Sequence, residues 1–310
     1  MQAVNESPII HSLPVQPLAM SKITVALDLR ETDKSILQYL NFFVQKISVA
    51  KVDFINVLRP IDLFEAKETK GIIGDYNVTK DFTKKMGAKV WENVDFPEKI
   101  PLDFKILEGN PMEELLKEID DQNIDLVVMG FHTGYAYHGI LPQALAREIK
   151  TNFLLIPDGS RPQLKRVLVP IDFSPYSIVA LQTVAALQKN YGEELEIICL
   201  NVYQLPNLHF FNADETAEKL KNIIEGDRKS AFEAYVKDFF KGNRDKISIE
   251  LMVQEAPGIG HYITDFADQN DIDLIVIGAK GHSGIDRILL GSVAEQVLAY
   301  PKSKPIWVVK

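Results

Sequence analysis

ITVALDLRETDKSILQYLNFFVQ, residues 23–45, and RVLVPIDFSPYSIVALQTVAALQ, residues 166–188, share one plan: a short apolar strand, an Asp, a capping-type residue and an amphipathic helix. Asp28 matches Asp172, an offset of 144. Downstream, VDFINVL (52–58) parallels LEIICLNVY (195–203), both dense in branched residues as buried strands are, and Val57 matches Val202. LDFKILEGNPMEELLKEIDDQNIDLVVMG then parallels ISIELMVQEAPGIGHYITDFADQNDIDLIVIG, each a strand, a Pro-containing turn, a helix and a strand. Gly130 matches Gly278, an offset of 148, so a few residues have entered the second copy, in loops. Each copy closes on a short strand, NFLLIP (152–157) or IWVVK (306–310).

The chain therefore reads as an internal repeat. A tail over 1–20 precedes a first domain over 21–158; a polar linker over 159–164 leads to a second domain over 165–310. Strands alternating with helices of ten or more residues imply right-handed crossovers and a parallel sheet covered on both faces. The predicted fold class is α/β: two tandem Rossmann-like doubly wound domains, each a mainly parallel five-stranded sheet with helices on both faces. Ligands of such sheets collect beyond the carboxyl ends of the strands, where strand order reverses. That rule alone brings Asp172, Val202 and Gly278 together.

Bulk properties narrow the function. The 310 residues carry 34 Lys and Arg against 43 Asp and Glu, a net charge of -9 that opposes nonspecific nucleic-acid binding. No apolar run is long enough for a bilayer, so no membrane partner is expected. A single cysteine, Cys199, excludes an intrachain disulfide and sits inside an apolar strand; cytoplasm is the expected compartment. The start, MQAVNESPIIHSLPVQPLAM, lacks the basic and apolar regions of a signal peptide, and Met20 is an expected alternative start just before SKITVALD.

The second copy continues after LIVIG as GAKGHSGIDRILLGSV, residues 278–293. Gly278 closes the strand, Gly281 lets backbone approach a ligand, and Gly291 and Ser292 open the helix SVAEQVLAY. The unpaired amides and positive dipole of a helix start suit an anion. The plainer reading makes these residues turn glycines with Ser292 as a cap, and makes Asp172 the cap of the helix near Ser174.

GAKGHSGIDRILLGSVAEQVL and RVLVPIDFSPYS resemble the universal stress proteins, whose nucleotide-binding members carry G-x2-G-x9-G-(S/T). From about Ser21 onward the whole chain resembles a tandem member. The resemblance implies ATP as ligand, with or without Mg²⁺, held by Pro170, Asp172 and Val202 at adenine and ribose, with Ile277 beside the base. It implies Gly278, Gly281, Gly291, Ser292 and Val293 at the phosphates. It further implies a nucleotide-responsive regulator of the stress response, acting on a protein partner that the sequence does not identify. An internal pseudo-dimer is implied, with NFLLIP and IWVVK paired across the halves and a further homodimer compatible with it.

The first copy breaks the pattern. GFHTGYAYHGILPQAL, 130–145, puts Thr133 at the place of Gly281, Gln143 at Gly291 and Ala144 at Ser292, and Ala26 replaces Pro170. Asp28, Val57 and Gly130 survive, yet the anion cradle is lost, so one nucleotide per chain is expected. No nucleophile with a base partner, no G-x-S-x-G and no G-x4-G-K-(S/T) appears, so at most weak ATPase or autophosphorylation is expected and no catalytic residue is assigned. His132, His138 and His282 have no Cys or carboxylate at ligand spacing and read as loop histidines, with no metal site. The stretch from Ala213 to Lys241 reads as a covering helix or helix pair. A nucleotide-independent interaction module is the competing function.

Overall fold

The computed structural model describes residues 16–60, 78–97, 99–120, 123–132, 140–206, 213–281 and 290–310, with side chains from 218 onward in the helix that begins at Ala213. The strands are β1 (Ala19–Met20), β2 (Ile23–Ala26), β3 (Ser48–Val49), β4 (Val52–Leu58), β5 (Leu102–Glu108), β6 (Leu126–Phe131) and β7 (Asn152–Pro157). After the connection come β8 (Arg166–Pro170), β9 (Glu196–Tyr203), β10 (Ile247–Val253), β11 (Leu274–Gly278) and β12 (Ile306–Val309). The helices are α1 (Asp33–Val44), α2 (Val78–Asn93), α3 (Pro111–Asp120), α4 (Ile140–Glu148), α5 (Pro175–Tyr191), α6 (Ala213–Phe239), α7 (Ile259–Gln269) and α8 (Ser292–Ala299).

Ten strands form one sheet in the order β10-β9-β8-β11-β12-β7-β6-β2-β4-β5. Within each half all neighbours run parallel, as expected. The halves meet at one antiparallel pair, β12 with β7, in which Ile306 faces Leu155 and Val308 faces Phe153. NFLLIP and IWVVK thus pair as the family resemblance implies, and each covers an edge that the other half would leave open. In each half the first strand has later-formed strands on both sides, so the order reverses between β2 and β6 and between β8 and β11.

Alternating side chains split the core into two layers that run unbroken across the joint. One holds Val25, Phe54, Leu154, Val276 and Trp307 under α1, α2, α5 and α6; the other holds Ile55, Phe153, Leu155, Ile275 and Val308 under α3, α4, α7 and α8. Trp307 is 1% exposed and meets Phe43 of α1 edge to face, with ring centroids 5.5 Å apart.

The last residues of the expected N-terminal tail belong to this frame. Ala19 and Met20 pair with Ser48 and Val49, and Met20 is buried. Leu18 exchanges backbone hydrogen bonds with the Asn190 side chain on α5 (2.7 and 3.2 Å), which ties the start of one half to the other. The sequence did not mark this because Leu-Ala-Met carries no strand signal and its partners lie far along the chain. Ala213–Phe239 is one continuous helix, not a pair.

Candidate functional site

At the exit of β8, Pro170 ends the strand and Ile171 bonds across to Leu200 (N to O, 2.9 Å). Asp172 follows on the surface. Its Oδ1 accepts from the Ser174 amide (3.0 Å) and the Ser177 hydroxyl (2.7 Å), and the Asp172 amide donates to Ser177 Oγ (3.1 Å). Ser174, with extended backbone, caps α5 by accepting from the Ser177 amide, and Pro175 takes the first helical position. The cap is therefore Ser174, and Asp172 fixes the turn before it.

The other carboxylate oxygen of Asp172 points at the loop after β11. A Cβ placed on Gly281 would lie 2.5 Å from Asp172 Oδ2, well inside van der Waals contact. Because Oδ1 is held by two donors, the carboxylate has little room to swing away. Gly278 is equally constrained: a Cβ there would come within 2.7 Å of the Tyr176 carbonyl oxygen, so the glycine admits the first turn of α5 against the strand end. At both positions the close approach demands glycine.

Gly291 lies beside both, its amide bonded to the Ala279 carbonyl (2.6 Å), and serves as the N-cap of α8 without a side chain. The first intrahelical bond is Glu295 N to Gly291 O (3.0 Å), so the amides of Ser292, Val293 and Ala294 precede it. Ser292 is exposed as the first helical residue and is not the cap that the plainer reading makes it. Val202, half-buried, lies in β9 opposite Met252. Ile277, Gly278 and Pro170 all end their strands on the same side. The nine residues singled out in the sequence thus gather at the β8–β11 switch point. Residues 282–289, with His282 and Arg287, lie outside the described residues, as do Thr133, Gly134, His138 and Gly139.

Two supporting groups carry no signal in the glycine pattern. Asn201, buried, donates to the Ile171 carbonyl (2.7 Å) and accepts from Arg228 Nη1 (2.6 Å), and the Arg228 guanidinium stacks 4.8 Å from the Tyr203 ring centroid. Tyr235 of α6 donates to the Ser174 carbonyl (3.2 Å). Both fix the turn that presents Asp172. The repeat itself is the signal that finds Asn201, because INVL and LNVY align and Asn56 makes the same bond to Leu27 O (2.8 Å).

In the first half the same turn holds another set of groups. His132, where the second half has Lys280, is buried and touches Asp28 (Nε2 to Oδ2, 3.4 Å), Thr32 (Nε2 to Oγ1, 3.1 Å) and Asp158 (Nδ1 to Oδ1, 3.2 Å). Asp33 stands at the place of Ser177, wholly buried, bonded to the Asp28 amide (3.3 Å) and paired with Lys89 (3.2 Å). Lys89 also donates to the Arg30 carbonyl, the counterpart of the Ser174 carbonyl that Tyr235 holds in the second half. Burial, then the charge of Asp28, raises the Asp33 carboxyl to about 7 against the pull of Lys89. Partial burial opposes ionisation of Asp28, but the hydrogen bonds from His132 and Asp33 and from the Arg30 amide outweigh it and bring it to about 2. The bond to Asp28, then that to Asp158, raises the His132 imidazole above its ordinary 6.5 despite partial burial. The expectation of an ordinary loop histidine at 132 gives way to a bridging one.

Cys199 is fully buried, and burial alone pushes its thiol far up, so it stays protonated. Among the described residues no group of three or more His, Cys, Asp or Glu is placed to hold a metal ion, and no helix is long and apolar enough to cross a membrane.

Parallel strands, helices on both faces and a glycine-lined crevice at the switch in strand order define a doubly wound, Rossmann-like α/β protein. A model of the universal stress protein family matches residues 163–310. A universal stress protein of Methanocaldococcus jannaschii is 30% identical over 146 residues, 47% of this chain and 82% of that relative. Another from the same organism is 26% identical over 159 residues, 47% of this chain and 94% of its own length. The crystal structure of a universal stress protein from Archaeoglobus fulgidus is similar over 93% of this chain and 96% of its own, with a TM-score of 0.58 and 18% identity. A putative universal stress protein from Pseudomonas aeruginosa gives 94%, 93%, 0.58 and 13%; at such identities the likeness speaks for the fold alone. The chain belongs to the universal stress protein family.

Proposed function

We propose that this is a tandem universal stress protein whose second domain, residues 165–310, binds ATP at the β8–β11 crevice and responds to its occupancy by changing contact with a protein partner. The first domain, 21–158, is the scaffold of an internal pseudo-dimer, and the stoichiometry is one nucleotide per chain. The observation that carries the reading is the pairing of Gly281 with Asp172, 2.5 Å between a hypothetical Cβ and Oδ2. It puts a surface carboxylate, an acceptor for ribose hydroxyls or an amine, beside a helix start at Gly291 where the amides of Ser292, Val293 and Ala294 precede the first intrahelical bond.

The residues present fit an adenine nucleotide. Asp172 and the backbone of Val202 would take the sugar and base; Gly278, Gly281, Gly291, Ser292 and Val293 would surround the phosphates. Mg²⁺ would arrive with the phosphates, the usual mode for that ion. Acid extraction of the purified chain, with mass identification of what is released, tests the reading directly. Calorimetry with ATP and Mg²⁺ should show one site, lost in a Gly281→Glu, Ser292→Ala variant that still folds. No heat at millimolar ATP from nucleotide-free protein would leave the nucleotide-independent interaction module as the better reading.

A further inference from the structure

The first-half crevice has lost its cradle but gained a set of charges, and the geometry of that set is specific. One imidazole, fixed at the exit of β6, contacts three segments among the described residues: Asp28 beyond β2, Thr32 at the start of α1, and Asp158, the first residue after β7. Asp158 is also where the chain leaves for the second half. Its amide donates to the Phe131 carbonyl (3.0 Å), next to His132, and two residues on the Ser160 hydroxyl donates to the Pro157 carbonyl (2.6 Å). Among the described residues, the other titratable or charged groups gathered here are Arg30, 3.6 Å from Asp28, with Asp33 and Lys89. In the second half the position of His132 is a lysine, Lys280, whose ammonium lies 5.6 Å from the Tyr176 ring centroid.

We infer that the first-half crevice is a proton-operated clasp, in which charged His132 ties Asp28 to Asp158 and loss of its proton loosens the connection that leads to the second half. An imidazolium donates through both ring nitrogens and can satisfy both carboxylates at once; a neutral imidazole has one N–H and must leave one of them with a lone pair facing it. The sign follows from proton binding. The folded chain holds the His132 proton more tightly than the unfolded chain, so this stabilisation is complete below the ordinary 6.5 and is lost as pH rises through the raised value. Asp33, raised to about 7, also favours the folded state as pH falls from about 7 toward 3.8. Asp28 acts oppositely, and its contribution disappears only between 3.8 and about 2. A step near neutrality could therefore come from His132 or from Asp33, and the test must separate them.

The clasp needs no nucleotide and is tested on the full chain without one. Imidazole resonances are titrated by NMR, with that of His132 assigned by its loss in His132→Asn, and amide exchange is followed at Asp158 and Ser160. His132 should titrate above 6.5 and fall by roughly one pH unit in Asp158→Asn. Exchange at the Asp158 amide should rise through the same midpoint by more than the base-catalysed increase, and this extra step should be absent in His132→Asn and retained in Asp33→Asn. A His132 midpoint at or below 6.5, or an extra step that survives His132→Asn or vanishes in Asp33→Asn, overturns the clasp. If His132→Asn does not fold, Asp158→Asn carries the test, since it removes one jaw and should lower the midpoint and abolish the step together.

Discussion

At the exit of the first strand, both halves make one turn and fill it with different chemistry. Leu29 and Phe173 occupy the left-handed region at φ 61° and 62°, an unusual conformation for bulky residues, and in both halves an Asn on the next strand holds the carbonyl before the Asp. Beyond that, hydrogen bonds from uncharged donors in the second half (Ser177 to Asp172, Tyr235 to Ser174) are replaced by ion pairs in the first (Asp28–His132, Asp33–Lys89). Even the shared Asn differs: Asn201 Oδ1 accepts from Arg228, whereas Asn56 Oδ1 is buried with no hydrogen-bond partner among the described residues. The strained turn persists in the half without the glycine spacing, so it serves the placement of the Asp and is not a feature of the glycine loop. One half keeps its carboxylate beside a backbone loop; the other uses it internally.

The comparison breaks at its root if the halves are separate folding units. Trp307→Ala opens a cavity between β12 and α1 of the other half and should cost about 3–5 kcal/mol. Denaturation followed by probes in both halves should show them unfolding together. Lys89→Met comes next: with its partner gone, Asp33 is left as a buried carboxyl, and the loss should reach about 3 kcal/mol at pH 8. At pH 5 the penalty should shrink, because Asp33, already raised to about 7, takes up a proton. Tyr235→Phe, the equivalent change in the second half, removes one neutral hydrogen bond and should cost about 1 kcal/mol at either pH. Urea titrations of both variants at both pH values check the contrast. Arg147→Ala, which cuts an exposed ion pair to Glu295 between α4 and α8 (2.6 Å), should cost less than about 1 kcal/mol and fade with salt.

The sharpest test of the comparison is conversion. Restoring the spacing in the first half with Thr133→Gly, Gln143→Gly and Ala144→Ser should not create a second nucleotide site while His132 and Asp158 remain, and calorimetry should still count one. A second site appearing from those three changes alone would show that the cradle, and not the ionic network, separates the halves.

The repeat, the parallel strands and the crossovers were legible because they rest on patterns that recur at an offset of 144 to 148 and on apolar runs that burial demands, whereas the joint was implied by the family resemblance alone. The glycines were legible because only they fit beside Asp172 and Tyr176. What escaped were replacements that make sense only together. Asp33 alone reads as a first-turn acid on α1 and Lys89 alone as a surface charge on α2, 56 positions apart; their meeting depends on how α2 lies over the sheet. His132 was misread for the same reason, since Asp28 and Asp158 approach it from opposite directions along the chain. Leu18, held by Asn190 172 positions away, is the extreme case.

The antiparallel pairing of β7 with β12 has a geometric result beyond covering edges. All strands of one half point against those of the other, so the carboxyl ends, and with them the two crevices, open on opposite rims of a single ten-stranded sheet. The molecule is in effect a plate with two unlike poles, glycine-lined at one and ionic at the other. Nothing that touches one rim can touch the other, and what joins them is the shared core around Trp307. The two crevices therefore have separate addresses on the surface and a common floor inside.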